Sequence, residues 1–177
     1  VLAPSEVMAA QLDDLGVRHV SVQRLGVDTG LFCPSRNSPA VRAAIRVPKG
    51  ASLLVCAGRN TREKHVDQLL SCLDRLDEDH YLLLIGANMP DNGHPRLRVV
   101  DYVGDEETLA MYLASADALL HAGDAETFGL VILEAMACGL PVVGVDAGAT
   151  PELVDETVGE LAPRASGAAL AEAVDAL

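Results

Sequence analysis

Ser52-Leu53-Leu54-Val55-Cys56-Ala57 and Tyr81-Leu82-Leu83-Leu84-Ile85-Gly86 are two short, almost unbroken apolar runs. A half-buried helix would interrupt such a run with polar residues every turn, and a strand with one wet face would alternate. A continuous run fits a strand covered on both faces, as inside a parallel sheet. Outward from these two lie further strand candidates at residues 19–25, 97–100, 117–121, 141–145 and 158–161. Helical stretches separate them, at residues 64–76, 105–114, 128–138, 150–155 and 166–177. The alternation predicts an α/β fold, an open and mostly parallel sheet with helices on both faces. The first 50 residues are less regular. Residues 4–15 read as a helix capped by Ser5, with Pro4 before it. Residues 30–48 hold three prolines and read as a connecting loop with a short helix at 39–45.

Composition narrows the function. The chain has 177 residues, with 26 acidic against 13 basic side chains and a net charge of −13. Half of the residues are hydrophobic, so this is not a disordered acidic tail. The length suits one domain with a sizeable core. The acidity argues against nucleic acid or anionic lipid as a general partner. Three Tyr, two Phe and no Trp leave little for stacking single-stranded bases. A phosphate ligand would need a local cluster of cations. No apolar run reaches the roughly 18 residues of a membrane span. Cys33, Cys56, Cys72 and Cys138 form no CxxC pair, so neither a zinc site nor a redox motif is suggested. A reducing, cytoplasmic setting is the simpler reading. The chain starts at Val1 and ends in an Ala-rich run, which reads as a domain cut from a longer protein.

In open α/β sheets, ligands bind beyond the carboxyl ends of the strands. The richest of these loops is Asp124-Ala-Glu126-Thr-Phe128-Gly129-Leu130-Val131 and the residues that follow, to Leu140-Pro141. Thr127 is placed to cap a helix beginning at Phe128. Gly139 and Pro141 stop it. The helix is apolar nearly all round, which predicts burial. Its one charged residue is Glu134. A carboxylate there needs a partner. Either a backbone or Arg contact within the fold or the paired hydroxyls of a ribose would satisfy it. At roughly 1.5 Å per residue, Glu126 and Glu134 stand ~12 Å apart along the chain, too far to act together on one glycosidic bond. They suit two ends of an extended ligand. The amides of Phe128, Gly129 and Leu130 would lie between them, where a helix start favours an anion. Sugar, phosphate and ribose in that order describe a nucleotide sugar.

The run from Glu126 through Glu134 to Val143, with Phe128-Gly129 inside and Glu-Ala-Met-Ala-Cys-Gly-Leu-Pro-Val-Val following, resembles the donor signature of family 4 glycosyltransferases. These are retaining enzymes of the GT-B architecture, built from two Rossmann-like domains with the reaction in the cleft between them. Gly58-Arg59-Asn60-Thr61-Arg62-Glu63-Lys64-His65 resembles the family's Gly-Arg…Glu-Lys-Gly segment, with His65 where Gly is usual. Arg59 and Lys64 together in one loop of so acidic a domain are what a diphosphate needs. Leu25-Gly26-Val27-Asp28 resembles the family's Asn-Gly-Val-Asp, with Leu25 in place of the polar Asn; Asp28 reads as a turn former. Residues 100–107, including Val103, resemble the loop beside the nucleobase. Ala147-Gly148-Ala149-Thr150-Pro151-Glu152 resembles the Gly-Gly-x-x-Glu turn, and residues 85–90 depart from the usual Gly-x-Gly-Pro.

The resemblance implies that residues 1–177 are one Rossmann-like nucleotide-sugar-binding domain, the C-terminal half of a GT-B enzyme, with residues 1–18 a remnant of the interdomain segment. It implies hexose transfer with retention from a donor such as a GDP- or UDP-hexose. The sugar, polysaccharide or lipid-linked acceptor would be held by a missing N-terminal domain, with docking at the inner membrane face in the full-length protein. Arg59 and Lys64 would meet the diphosphate and stabilise the leaving group, without a metal or other cofactor. Gly58, Val103 and the amides of Phe128, Gly129, Leu130 and Val131 would line the donor. Glu126 would take sugar hydroxyls and Glu134 the ribose. The fragment alone is expected to bind donor weakly and turn nothing over. A GT-B-type nucleotide-sugar epimerase and a non-catalytic nucleotide-sugar-binding module are the alternatives. His121, at a strand end where the family has a Pro-Ser pair, reads as locally satisfied. Asp77-Glu78-Asp79 reads as a solvated charge run. Dinucleotide, P-loop, serine-hydrolase and zincin motifs are absent.

Overall fold

The computed structural model describes residues 1–177. Eight strands and six helices follow in the order β1 (Leu2–Ala3), α1 (Glu6–Asp14), β2 (Ser21–Val22), α2 (Pro39–Ala44), β3 (Ser52–Ala57), α3 (Val66–Leu73), β4 (His80–Ile85), β5 (Leu97–Val100), α4 (Glu106–Ala114), β6 (Ala118–Leu120), α5 (Leu130–Ala137), β7 (Val142–Val145), β8 (Gly159–Ala162) and α6 (Gly167–Ala176). The main sheet has the order β5-β4-β3-β6-β7-β8, and every neighbouring pair is parallel. The order reverses between β3 and β6. Such a switch point leaves a crevice beyond the strand ends, because the loops after the two strands lead away in opposite directions.

The unbroken apolar runs are explained by two cores. Leu54 and Cys56 of β3, with Leu82 and Leu84 of β4, face a cluster closed by α3 and α6. Leu53, Val55, Leu83 and Ile85 face the other, closed by α4, α5 and the segment before β3. Alternate side chains enter opposite cores, so past the strand starts at Ser52 and His80 no position can be polar. Each fully buried leucine cut to alanine would cost about 2–5 kcal/mol. The helices cover the sheet through apolar stripes: Val66, Leu69, Cys72 and Leu73 are the buried face of α3. All four cysteines are free thiols.

Four expectations change. The strand expected at 19–25 shrinks to Ser21–Val22 and pairs only with Leu2–Ala3, in a separate two-stranded sheet. It has no longer partner to extend against. The helix expected at 150–155 is one 3-10 turn, Thr150–Glu152. Thr127 caps nothing: the helix opens at Leu130 after Gly129, whose left-handed φ of 92° admits a glycine far more easily than a threonine. Nor is that helix buried all round. Only Ile132 and Ala135 are fully covered, and Leu130 is 45 % exposed, because one flank faces the crevice at the switch point.

Candidate functional site

Three loops converge at the carboxyl ends of β3, β6 and β7. After β3 the chain turns at Gly58, and a side chain on neighbouring Gly86, after β4, would sit 1.8 Å from the Gly58 carbonyl oxygen. Only a glycine at 86 lets these strand ends approach so closely. A 3-10 turn, Arg62–Lys64, then leads into His65, which is left-handed at φ 46° and starts α3. This turn carries Lys64 toward the loop after β6.

The two loops are tied in three places. Lys64 Nζ donates to Glu126 Oε1. His65 Nε2 lies 2.8 Å from Asp124 Oδ2. The Asp124 amide donates to the Glu63 carbonyl at 3.4 Å. The turn after β7 closes the third side. Ala149 donates to the Glu126 carbonyl at 2.8 Å, and a Cβ on Gly148 would stand 2.7 Å from the same oxygen. The N-terminal segment also docks here. Ser5 Oγ donates to the Thr127 carbonyl at 2.7 Å, while Glu152 accepts the amides of Glu6 and Val7 at 3.0 and 2.9 Å. Glu152 thus caps α1 from 145 residues away, a role that the short turn motif around it did not announce.

Two adjoining cavities open onto these loops. One, of about 340 Å³, is lined by Gly58, Arg59, Lys64, Glu126, Phe128, Gly129 and their neighbours, with Pro4 and Leu25 on its outer wall. The other, of about 290 Å³, is mostly apolar and includes Gly86, Ala87, Tyr102, Val103, Leu109 and Glu134. Ala57, Gly58, Arg59, Leu130 and Val131 line both, so the two form one elongated cleft. Every residue singled out above for the donor lies on it. Leu25, Gly86, Ala87 and Tyr102 lie in segments that resemble or depart from the family's, but the sequence does not single them out for the donor. Pro4 reads only as a helix flank in the sequence, since only the docking of the first segment brings it in. A hollow of about 490 Å³ at the opposite end of β7 and β8 is lined by Glu156 and Glu160 but by no lysine or arginine, so it does not suit a phosphate.

The electrostatics divide along the cleft. The amides of Phe128, Gly129, Leu130 and Val131 donate to no group of the chain, and the first helical bond is from Ile132 to Gly129, at 3.0 Å. Free amides at a helix start are an anion site, and Arg59 borders it. Burial, with Arg59 acting the same way, lowers the pKa of Lys64, and the Glu126 carboxylate in direct contact is a counter-charge to it. Burial, with the charge of Glu106, holds the Glu134 carboxyl above the usual carboxylate range. His121 is not locally satisfied as expected. It is 2 % exposed, and its Nε2 stands 3.4 Å from Glu126 Oε1 without the geometry of a hydrogen bond. Burial, reinforced by Lys64, pushes its pKa down to about 3, so the ring is neutral.

Residues 51–177 match the family described as Glycosyl transferases group 1. The chain belongs to that family. It is 34 % identical over 165 residues to a GDP-mannose-dependent alpha-mannosyltransferase of Corynebacterium glutamicum, covering 90 % of this chain and 39 % of that protein. It is 33 % identical over 166 residues to a GDP-mannose-dependent alpha-(1-6)-phosphatidylinositol dimannoside mannosyltransferase of Mycobacterium tuberculosis, covering 86 % of this chain and 42 % of that protein. The glycosyltransferase domain described here therefore spans about two fifths of the length of these curated relatives. In structure it superposes on HepE of Anabaena, solved with UDP and glucose, with a TM-score of 0.86 at 24 % identity, over 99 % of this chain and 52 % of that one. The fold is thus one half of a GT-B glycosyltransferase, with a six-stranded parallel sheet flanked by helices. In this glycosyltransferase domain the cleft offers, in sequence along its length, a carboxylate paired to a lysine, a set of free amides beside an arginine, and an unpaired carboxylate next to an apolar hollow.

Proposed function

We propose that this chain is the donor-holding half of a retaining glycosyltransferase, which moves a hexose from a nucleotide diphosphate sugar to an acceptor held by a second domain. The observation that carries the reading is the cleft's single run of partners: four free amides and Arg59 in its middle, with Glu126 and Glu134 at either side. An anion at the amides is flanked by carboxylates that accept hydroxyl protons, and the apolar hollow beside Tyr102 and Val103 suits a base. Arg59, Lys64 and the amides take the diphosphate. As the bond from the sugar to the diphosphate breaks, negative charge grows on the leaving oxygen, and these fixed donors stabilise it. They supply the positive charge at this step without a metal. Glu126 orients the sugar through its hydroxyls, and Glu134 accepts from the ribose.

Two relatives named for GDP-mannose make a GDP-hexose the first donor to test. The acceptor side belongs to a domain outside these residues. No helix is long and apolar enough to cross a membrane. A cytoplasmic enzyme that meets a lipid-linked acceptor at the membrane face is consistent with the proposal. The test is a titration of this chain with GDP-mannose, UDP-glucose and an ADP-hexose, read by amide chemical shifts. Shifts at residues 58–65 and 126–134 are expected, and shifts confined elsewhere overturn the assignment. Transfer by the full-length protein, with the anomeric configuration of the product determined, tests the reaction and its stereochemistry. Release of free nucleoside diphosphate together with an epimerised sugar, and no transfer, would make it an epimerase.

A further inference from the structure

His121 is a buried, unpartnered side chain for which the donor reading has no use. Two nitrogen groups converge on one oxygen, Glu126 Oε1: the Lys64 ammonium in direct contact and His121 Nε2 at 3.4 Å. A diphosphate held at Arg59 and the amides would compete with Glu126 for Lys64, which lines the same cavity. Glu126 is only 13 % exposed, so once Lys64 leaves, water is a poor replacement and a bare carboxylate is costly. We infer that His121 is a positioning residue that takes over Glu126 through an Nε2–H hydrogen bond when Lys64 turns to the donor. This rests on the donor-cleft reading above.

The geometry favours a fixed ring and a mobile lysine. The His121 amide donates to the Val143 carbonyl at 2.8 Å, which locks the residue between β6 and β7. Gly123 is shaped around the ring, since a Cβ there would stand 2.7 Å from Nε2. Lys64, by contrast, reaches Glu126 on a flexible four-carbon stem and is 22 % exposed. A neutral imidazole donates one hydrogen bond and adds no charge. Glu126 therefore stays an anion, free to accept from sugar hydroxyls with its other oxygen. Of the other ionisable groups that act on Lys64, Glu63 and Arg59 oppose each other in sign, and the Cys56 thiol, pushed up to about 11 by burial, is neutral. As Lys64 leaves, its repulsion of the ring falls away and the attraction of Glu126 is no longer offset, so Glu126 can close the 3.4 Å gap into an Nε2–H hydrogen bond.

The experiment uses this chain with nitrogen-15-labelled histidine, titrated with GDP and with GDP-mannose. At saturation the His121 ring should be the Nε2–H tautomer, with its Nε2 resonance moved toward that of a strong donor. Lys64→Met should produce that shift without any ligand. His121→Phe should weaken GDP-mannose about tenfold while leaving GDP nearly unchanged, and His121→Gln should recover most of the loss. If the amides of residues 58–65 and 128–131 respond to ligand while the His121 ring does not, the inference is overturned and the cleft reading stands. Equal behaviour of the Phe and Gln variants reduces His121 to packing and also overturns it. Silence at those amides overturns both. Should His121→Phe not fold, the Lys64→Met ring shift and the Gln variant still decide.

Discussion

The loop after β6 and the helix that follows it line the same cleft, yet the fold leaves them in opposite conditions. In the loop, Asp124 and Glu126 meet His65 and Lys64, and the carbonyls of Glu126 and Thr127 accept from Ala149 and Ser5. In the start of α5, four amides have no acceptor, Leu130 is uncovered, and Glu134 is half-buried with burial raising its pKa. The chain holds the loop in shape by itself. The polar groups at the helix start are left without partners in the chain. A fold that tolerates unmet donors beside a self-satisfied loop is pre-organised at the point where a ligand's charge has to be met.

The largest test of this contrast removes the loop's cation. Lys64→Ala should lower transfer by the full-length protein by about 100-fold or more, since it strips one positive charge from the leaving group. The same change should lower the melting temperature by leaving the buried Glu126 without its counter-charge, and adding Glu126→Ala should restore part of it. Unchanged turnover would remove Lys64 from the reaction. Next, Gly129→Ala should cost about 1–2 kcal/mol in denaturant unfolding, because φ is 92° and the new Cβ would lie 3.0 Å from Ile132 Cδ1. It should also weaken nucleotide binding by turning the amides; a loss of stability with binding intact would separate the two roles of Gly129.

Ser5→Ala should cost about 1 kcal/mol in the same unfolding measurement, through loss of the α1 cap and the bond to Thr127. The smallest effect is a pH dependence on the helix side. Glu134 holds its proton to higher pH in the folded chain than in the unfolded one. Wild type should therefore lose stability relative to Glu134→Gln as pH climbs from the ordinary glutamate value through the raised one, with a constant gap above it. At this partly exposed site the gap should be at most about 0.5 kcal/mol. A gap of opposite sign would mean that Glu134 has a stabilising partner in the fold. The same variant should bind nucleotide more weakly.

Much of the sheet was legible. Ser52–Ala57 and Leu97–Val100 fall where the sequence predicts, because strands buried on two faces demand unbroken apolar runs. The Gly-Arg…Lys loop and the Glu-rich helix start, read together from the sequence, line one cleft in the fold. The start of α5 was misplaced for a local reason: a threonine before an apolar run looks like a cap, but the chain needs a left-handed residue to enter the helix from this side, and Gly129 is two positions later. Burial of α5 was overestimated because an apolar sequence does not distinguish a core face from the wall of a cleft.

The sequence alone determined which runs are unbroken and apolar and which stripes are helical, and it placed Arg59 and Lys64 in one loop and two carboxylates astride one helix start. Those are short-range patterns, carried by neighbours within a few turns. Tertiary structure decided who meets whom. Lys64 finds Glu126 from 62 residues away because β3 and β6 lie side by side where the strand order reverses, and Ser5 finds Thr127 from 122 because the first segment docks on the loop after β6. The neutral ring of His121 is likewise a product of burial at that junction, since nothing in a lone histidine at a strand end specifies the charge around it.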